Sequence, residues 1–395
     1  MKKLELKTEH LTLRPIQLGD ENQIHEYAGD KEITMMFWLP NDTFEETVDF
    51  VKRNAAEWES ENQSVFEFVI IYEGKIIGGC DCDLGHSEDY SYGTLGWIIN
   101  KKYRQRGFAS EAAAALLDFA FTRLDVQRVY AQCDCKNLKW LCVPWAGVDS
   151  LMATDYFANE DCLLTNSAGA YGVSIAEHMI ALPLIMMHRL DEFMAETKEG
   201  KWLSPRPQKS LKDCRITVLG TGDIGTNFAK RARAFEPASL IGVCRSGKSN
   251  ATVYDKILPV SGLDSILPQT DLLAMSLPAT AETEGILSRQ RFSLLPEGSY
   301  IVNVGRGSAI NEETLADNLE SGHLAGAALD VFKTEPLPAG HRLWKTKNLL
   351  ITPHVAGNMT LPYTKDKNVQ MFIEDLKNFA EGRPLHYLVD RRLGY

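Results

Sequence analysis

Arg215-Ile216-Thr217-Val218-Leu219-Gly220-Thr221-Gly222-Asp223-Ile224-Gly225 is the stretch that decides the fold. Five mostly apolar, β-branched residues read as a buried strand, the glycines follow at once, and a helix is expected through Phe235. The three glycines meet three steric needs. Gly220 makes the tight turn, Gly222 lets the backbone approach a pyrophosphate, and Gly225 packs helix against strand. Asp223 and Ile224 open the helix, whose free N–H groups and positive dipole end suit an anion. Between a strand and a helix, this spacing predicts a doubly wound, Rossmann-type parallel sheet that binds a dinucleotide.

The next strand, Ser239 to Cys244, ends at Arg245-Ser246-Gly247-Lys248. Position 245 lies 20 residues past Gly225, where an acidic residue would read the ribose hydroxyls of NAD. Arg245 and Ser246, with Lys248 close by, suit a 2′-phosphate instead, so NADP(H) is expected over NAD(H). If Arg245 only stacks on the adenine, replacing it by Asp leaves the preference unchanged.

Three later strands each run into a polar residue. Tyr300 to Gly305 leads to Arg306, Ala325 to Phe332 leads to Glu335, and Leu349 to Pro353 leads to His354. Ligands of an open parallel sheet bind beyond the carboxyl ends of its strands, so these side chains are expected to converge. The types fit hydride exchange with a 2-keto acid. Arg306 offers a fork for a carboxylate, His354 an acid for the nascent alkoxide, and Glu335 a carboxylate to orient the imidazole.

From Leu138 onward the chain resembles the D-isomer-specific 2-hydroxyacid dehydrogenases. The resemblance rests on Ala146-Gly147-Val148-Asp149, Ala176-Glu177-His178, Leu277-Pro278-Ala279-Thr280-Ala281-Glu282-Thr283, Val302-Asn303-Val304-Gly305-Arg306-Gly307, Ala328-Leu329-Asp330-Val331-Phe332 with Glu335-Pro336-Leu337, and Pro353-His354-Val355-Ala356-Gly357. It implies that Arg306, Glu335 and His354 are the catalytic set and that Gly147 and Val148 hold the substrate carboxylate through backbone amides. It also implies that Pro278, Thr283, Val304, Asp330 and Gly357 lie at the cofactor, and that the protein forms a homodimer. The Arg245-Ser246 pair and the terminal Gly394-Tyr395 look like the glyoxylate/hydroxypyruvate reductase branch. Family members begin with a flavodoxin-like substrate domain. Here only part of it is expected, in residues 138–185 and 360–395, around a dinucleotide domain at 186–359.

Residues 1–137 read differently. Strands are expected at Leu11 to Ile16, Phe66 to Tyr72, Lys75 to Cys82, Gly93 to Ile99 and Arg128 to Cys133, with helices at Phe44 to Ser60 and Ser110 to Leu124. Gln105-Arg106-Gly107-Phe108-Ala109, just before the second helix, is similar to the coenzyme A loop of GNAT-type N-acetyltransferases, as Leu13-Arg14-Pro15 and Leu95-Gly96-Trp97-Ile98-Ile99 are to their ribosomal-protein branch. That resemblance implies acetyl-CoA at Gln105, Arg106, Gly107 and Ala109 in an incomplete α+β domain. It ends at Asn137, before the Asn-x-x-Ser helix and the two closing strands. Three readings follow: an active oxidoreductase, an acetyl-CoA-dependent transferase in residues 1–137, or an inactive fusion of two incomplete domains.

The net charge of −11 argues against nucleic acid. It is uneven: residues 1–137 hold 15 Lys and Arg against 24 Asp and Glu, the remainder 27 against 29. The longest apolar run, Met179 to Met187, is short for a membrane span, and Met1 to Lys7 has no apolar stretch behind it, so a cytoplasmic location is expected. Eight cysteines are then expected to be reduced. Cys80 and Cys82, with Cys133 and Cys135, fit no familiar zinc spacing, so no metal is expected. His178, on an apolar helix expected from Ile175 to Leu190, reads as a packed histidine.

Overall fold

The computed structural model describes residues 4–30, 41–87, 90–131, 138–152, 161–202 and 204–394. The chain divides into two compact units, Met1–Leu138 and Lys139–Tyr395.

In the first unit, β1 (Leu6–Lys7), β2 (Thr12–Pro15), β3 (Val65–Tyr72), β4 (Lys75–His86), β5 (Ser91–Ile99) and β6 (Arg128–Ala131) form one sheet in sequence order. The pairs from β1 to β5 are antiparallel, and β6 runs parallel to β5. The helices are α1 (Glu21–Ala28), α2 (Phe44–Glu57) and α3 (Phe108–Arg123). Thr43 and Glu46 close a capping box at the start of α2, satisfying two backbone donors that would otherwise be unpaired. Phe66 and Phe68 of β3 point into a core with Trp58 and with Phe119 of α3. Cys80 and Cys82 are buried in that core, while Cys133 and Cys135 lie outside the described residues. Among the described residues no group of His, Cys, Asp and Glu is arranged to hold a metal.

The second unit holds β7 (Trp140–Cys142), α4 (Asp149–Met152), β8 (Leu163–Thr165), α5 (Gly172–Met187) and α6 (Leu190–Lys198). Then follow β9 (Arg215–Leu219), α7 (Asp223–Ala232), β10 (Ser239–Cys244), β11 (Lys256–Pro259), α8 (Leu263–Ile266), β12 (Leu272–Met275) and α9 (Arg289–Phe292). The chain ends with β13 (Ser299–Asn303), α10 (Glu312–Glu320), β14 (Leu324–Leu329), β15 (Leu349–Ile351) and α11 (Pro362–Ala380). Seven strands make an all-parallel sheet in the order β11-β10-β9-β12-β13-β14-β15, so all their carboxyl ends lie along one edge. Burial on both faces explains why β9, β12 and β13 are continuous apolar runs. β7 and β8 form a separate parallel pair beside α11, where Trp140 stacks on Phe372 and Phe379.

Several bounds differ from the sequence expectation. The long apolar helix starts at Gly172 and stops at Met187. Arg189, at φ 56°, turns the chain through a 68° bend into α6. The C-terminal helix, for which the sequence pattern suggests Asn368 to Gly382, runs Pro362–Ala380, and the fixed φ of Pro362 suits a first helical position. Among the described residues no single helix is long and apolar enough to cross a membrane.

Candidate active site

The expected catalytic residues converge at the carboxyl edge of the large sheet. β13, β14 and β15 are adjacent and parallel, so the loops after them are neighbours. Gly307 sets their spacing: a Cβ there would lie 1.9 Å from the Phe332 carbonyl carbon, so only glycine lets the Arg306 loop approach the Glu335 loop. Glu335 Oε1 accepts the Phe332 N–H at 2.8 Å, which aims Oε2 at His354 Nδ1, 2.6 Å away. Both side chains are partly open to solvent.

His354 sits at φ 54°, a backbone conformation that costs energy for a side-chain-bearing residue. The surroundings impose it. Its N–H donates to the Asp330 carbonyl at 2.8 Å, and the Asp330 carboxylate grips the turn from beneath. Asp330 is 1% exposed and accepts three hydrogen bonds, from Thr352 Oγ1 at 2.5 Å, Val355 N–H at 2.9 Å and Ala356 N–H at 3.0 Å. His178 reaches this network through Thr352 Oγ1 at 3.1 Å and lies 3.8 Å from Asp330. Where the sequence reading was a packed histidine, the side chain is 23% exposed and hydrogen-bonded.

Arg306 meets the loop after β7. Its Nε and Nη2 donate to Asp149 Oδ1 at 3.1 and 2.7 Å, and Nη1 donates to the Gly305 carbonyl at 2.9 Å. Burial acts to raise the Asp149 carboxyl, but the Arg306 hydrogen bonds and charge, with His354 nearby, hold it below the ordinary carboxylate range. A Cβ on Gly147 would fall 1.5 Å from Arg306 Nη2, so the guanidinium lies against bare backbone. Val148 is buried beside it. Neighbours from the segment after β8 fix this loop. Asn166 Nδ2 donates to the Ala146 carbonyl at 2.7 Å, Ser167 N–H to the Trp145 carbonyl at 3.0 Å, and the Tyr171 hydroxyl to the Pro144 carbonyl. Sequence reasoning missed Asp149, Thr352, Asn166 and Tyr171; only Asp149 carried a signal, as the last residue of Ala146-Gly147-Val148-Asp149.

The glycine loop fits a dinucleotide. Gly220 has φ 106° and its missing Cβ would touch the Ser276 carbonyl, while a Cβ on Gly225 would lie 1.8 Å from the Gly220 carbonyl oxygen. Beside Gly222 there is open space, and α7 starts there with no side-chain cap, leaving its first N–H groups for an anion. Ile224 is half-buried behind them. The Asp223 carboxylate does not face this space. It bonds Asn227 at 2.9 Å and the Gly172 backbone, and burial pushes its pKa up despite them. Asp223 therefore offers the loop its backbone alone. Arg245 and Ser246 are exposed after β10, and Ser246 Oγ closes a turn with Lys248. The charge of Arg245 is felt at Glu282, whose carboxyl is held low first by its own backbone N–H and by Thr280. Thr283 Oγ1 donates to the Pro278 carbonyl at 2.6 Å and shapes the loop after β12. Val304 is buried at the end of β13, and Gly357 packs against Ile175 of α5.

In the first unit, Gly107 has φ 83°, has nothing near its missing Cβ, and leaves the N-terminus of α3 without a side-chain cap. Arg106 lies over the rings of Tyr72 and Phe108 at 4.9 and 4.8 Å. Gln105 at φ 61° makes the turn, and Ala109 is in the first turn of α3.

Residues 180–356 match the model of the NAD-binding domain of D-isomer-specific 2-hydroxyacid dehydrogenases, and residues 10–144 match that of the GNAT acetyltransferase domain. Glyoxylate/hydroxypyruvate reductase A of Salmonella newport (strain SL254) is 32% identical over 224 residues, covering 57% of this chain and 70% of the relative. The D-3-phosphoglycerate dehydrogenase of Archaeoglobus fulgidus is 30% identical over 271 residues, 68% of this chain and only 50% of that protein. Among solved structures, an NADPH-dependent glyoxylate/hydroxypyruvate reductase from Sinorhizobium meliloti, in complex with NADP and sulfate, has TM-score 0.59 at 27% identity. That match covers 71% of this chain and 90% of the other. With a Rossmann sheet, a glycine loop shaped for a dinucleotide and an Arg-Glu-His set at its edge, the chain belongs to the D-isomer-specific 2-hydroxyacid dehydrogenase family of NAD(P)-dependent oxidoreductases, and carries a GNAT domain ahead of it.

Proposed function

We propose that the second unit reduces a small 2-keto acid, glyoxylate or hydroxypyruvate, with NADP(H) in preference to NAD(H). The observation that carries this is the 2.6 Å contact of His354 with Glu335 beside an Arg306 held on the Gly147 loop. Asp149 and Gly305 take the inner donors of Arg306 and leave its outer N–H groups for the substrate carboxylate, which the Gly147 and Val148 amides hold from the other side. A bound nicotinamide supplies the hydride, with Thr283 and Asp330 near it and the pyrophosphate on the Gly220–Gly225 loop. With Nδ1 engaged by Glu335, His354 delivers its proton from Nε2 to the oxygen of the forming alkoxide. Arg245 and Ser246 bind the 2′-phosphate, in keeping with the NADP held by the Sinorhizobium protein.

The test is oxidation of NADPH and of NADH by the full chain with glyoxylate, hydroxypyruvate and pyruvate, beside His354→Ala. Turnover that the variant abolishes supports the reading; turnover that survives it, or none with any of the three acids, refutes it. Leu190 and Met194 of α6 and Trp202, which is 99% exposed, support a homodimer through this region, testable by light scattering. A second reading concerns the first unit. The open Gly107 turn and the uncapped α3 support acetyl-CoA binding at Gln105, Arg106, Gly107 and Ala109, to be tested by calorimetry with Arg106→Glu as control.

A further inference from the structure

The last helix of the second unit, α11, carries its polar residues inward and its apolar residues outward. Thr364, Asn368, Met371, Asp375 and Asn378 recur at helical spacing and are buried, and four of the five are polar. On the opposite side Val369, Phe372, Ile373, Leu376 and Phe379 form an apolar stripe whose members are 38–47% exposed. The helix cannot roll to bury that stripe, because its inward face is tied down. The Asp375 carboxylate accepts the His386 N–H at 2.7 Å and the Tyr387 N–H at 3.2 Å. The Asn378 carbonyl accepts the Arg383 N–H at 2.8 Å, and Met371 sits in the core. Trp140 of β7 stacks on Phe372 and Phe379 and extends the stripe to one side, where its strand partner Leu163 is 37% exposed.

The five stripe residues and Leu163, exposing roughly 75 Å² each, make an apolar patch of about 450 Å², a size at which surface patches are often functional. With the polar residues beside it, the face reaches the roughly 800 Å² per partner of a standard interface. Charges mark the edge away from Trp140. At about 100° per residue, Asp366 and Lys377 lie within about 20° of each other around the helix and about three turns apart, one on each side of a midpoint near Phe372. Both are exposed, and among the described residues neither makes an ion pair. A second α11 laid antiparallel on the stripe brings each Asp366 against the partner's Lys377. Val369 then meets the partner's Leu376, and Phe372 and Ile373 meet near the two-fold axis. A parallel helix would instead set aspartate on aspartate and lysine on lysine. A face whose charges pair with themselves under a two-fold rotation is complementary to a second copy of the same chain.

We propose that α11 is a self-association surface, on which a second copy of the chain docks antiparallel through the apolar stripe and two Asp366–Lys377 ion pairs. Burial of the stripe supplies most of the affinity, while the exposed ion pairs set direction and register. None of these residues belongs to the α6 region of Leu190, Met194 and Trp202, so with both surfaces in use the chain assembles beyond a dimer.

The experiment is sedimentation velocity on the full chain over about a hundredfold range of concentration, in a Leu190→Glu/Met194→Glu background that disables the α6 surface. A monomer–dimer equilibrium is expected. Adding Ile373→Glu, which brings two carboxylates together near the two-fold axis, is expected to weaken it by about a hundredfold or more. Asp366→Lys is expected to weaken it by about tenfold, and Asp366→Lys with Lys377→Asp to return it to within about threefold of the background. The charge swap alters no buried residue, and NADPH affinity, read by fluorescence quenching, is expected to be the same in every variant. A background protein that stays monomeric throughout would overturn the proposal. So would a dimer indifferent to Ile373→Glu or to Asp366→Lys, or a charge swap that fails to restore association. A background dimer that sediments like the wild type, and is lost on Ile373→Glu, would support the α11 surface and tell against the α6 one.

Discussion

Gly147→Ala is the substitution whose consequence the geometry fixes most tightly. The added Cβ would lie 1.5 Å from Arg306 Nη2 and 2.7 Å from Cζ, whereas carbon and nitrogen in ordinary contact stand about 3.5 Å apart. The guanidinium must therefore shift by about 2 Å or the loop must yield. The loop is the stiffer partner, held by Asn166, Ser167 and the Tyr171 hydroxyl. A misplacement of about 1 Å near the chemistry costs on the order of 10²-fold, and a lost hydrogen bond to a charged group about 1.5–3 kcal/mol. The expected loss in kcat/KM for glyoxylate is about 10²-fold, divided between kcat and KM. NADPH affinity, measured by fluorescence quenching, is expected to stay unchanged, because the glycine loop is elsewhere. A double-mutant cycle isolates the cause. In an Arg306→Ala background the space is vacant, so Gly147→Ala should then cost less than about threefold. Full additivity of the two losses would refute the steric argument, as would near-native activity of Gly147→Ala at an unchanged Tm.

Arg245→Asp is expected to lower the ratio of kcat/KM for NADPH over NADH by about 10²-fold or more; an unchanged ratio would mean that Arg245 only stacks on the adenine. Glu335→Gln keeps an acceptor for His354 but loses the charge, and steady-state kinetics should show kcat reduced by roughly 10- to 100-fold with little change in KM. Asp330→Asn turns an amide N–H toward backbone donors that the carboxylate now accepts, so a loss of about 2 kcal/mol, or about 4–8 °C in the Tm of the second unit, is expected by calorimetry. For the first unit the sign of the pH dependence follows from Asp81. Its folded pKa is raised, so the folded state holds more protons than the unfolded chain between about 4 and about 7, and stability falls as pH rises through that window. Melting of the wild type at pH 5 and pH 8 should show the higher Tm at pH 5, and Asp81→Asn should shrink the difference.

The dinucleotide half was legible because its signals are local. β9 and β10 lie where the apolar runs placed them, and the glycine loop joins strand to helix within one short segment. The meeting of the Glu335 and His354 loops was legible for a related reason: each strand leads to one polar residue, and parallel strands bring their ends together. Asp149 was visible only as the last residue of Ala146-Gly147-Val148-Asp149; its contact with Arg306, 157 positions away, was not legible. Nor was the grip of Asp330 on the His354 turn, because a buried carboxylate taking two backbone N–H groups depends on the β14–β15 register. α1 escaped notice because Glu21–Ala28 is mostly polar and buries only Ile24, Tyr27 and Ala28. The bend after Met187 depends on Arg189 adopting a left-handed backbone, for which its residue type gives no warning.

The supports of the Gly147 loop tie it to the dinucleotide-binding half of the second unit. Among the described residues only the strand pair β7 and β8 stands beside α11, whose Val369, Phe372, Ile373 and Leu376 are substantially exposed. Among the described residues the Gly147 loop takes its hydrogen bonds from β8 and the segment after it. Val143 N–H donates to the Thr165 carbonyl at the end of β8, while Ser167 Oγ donates to the Val143 carbonyl and Asn166 and Tyr171 hold the next residues from the segment between β8 and α5. That segment is continuous with α5, which packs on α7 and the Rossmann sheet through Ile175, Ala176 and Met179. The carboxylate loop is thus tied to the dinucleotide half along the chain itself. The position of the Gly147 loop against Arg306 is set by β8 and the segment after it. On the proposed function, catalysis on the smallest keto acids is expected with little discrimination between glyoxylate and hydroxypyruvate, read as kcat/KM values within about tenfold of one another; a preference of about a hundredfold for the larger acid would refute this.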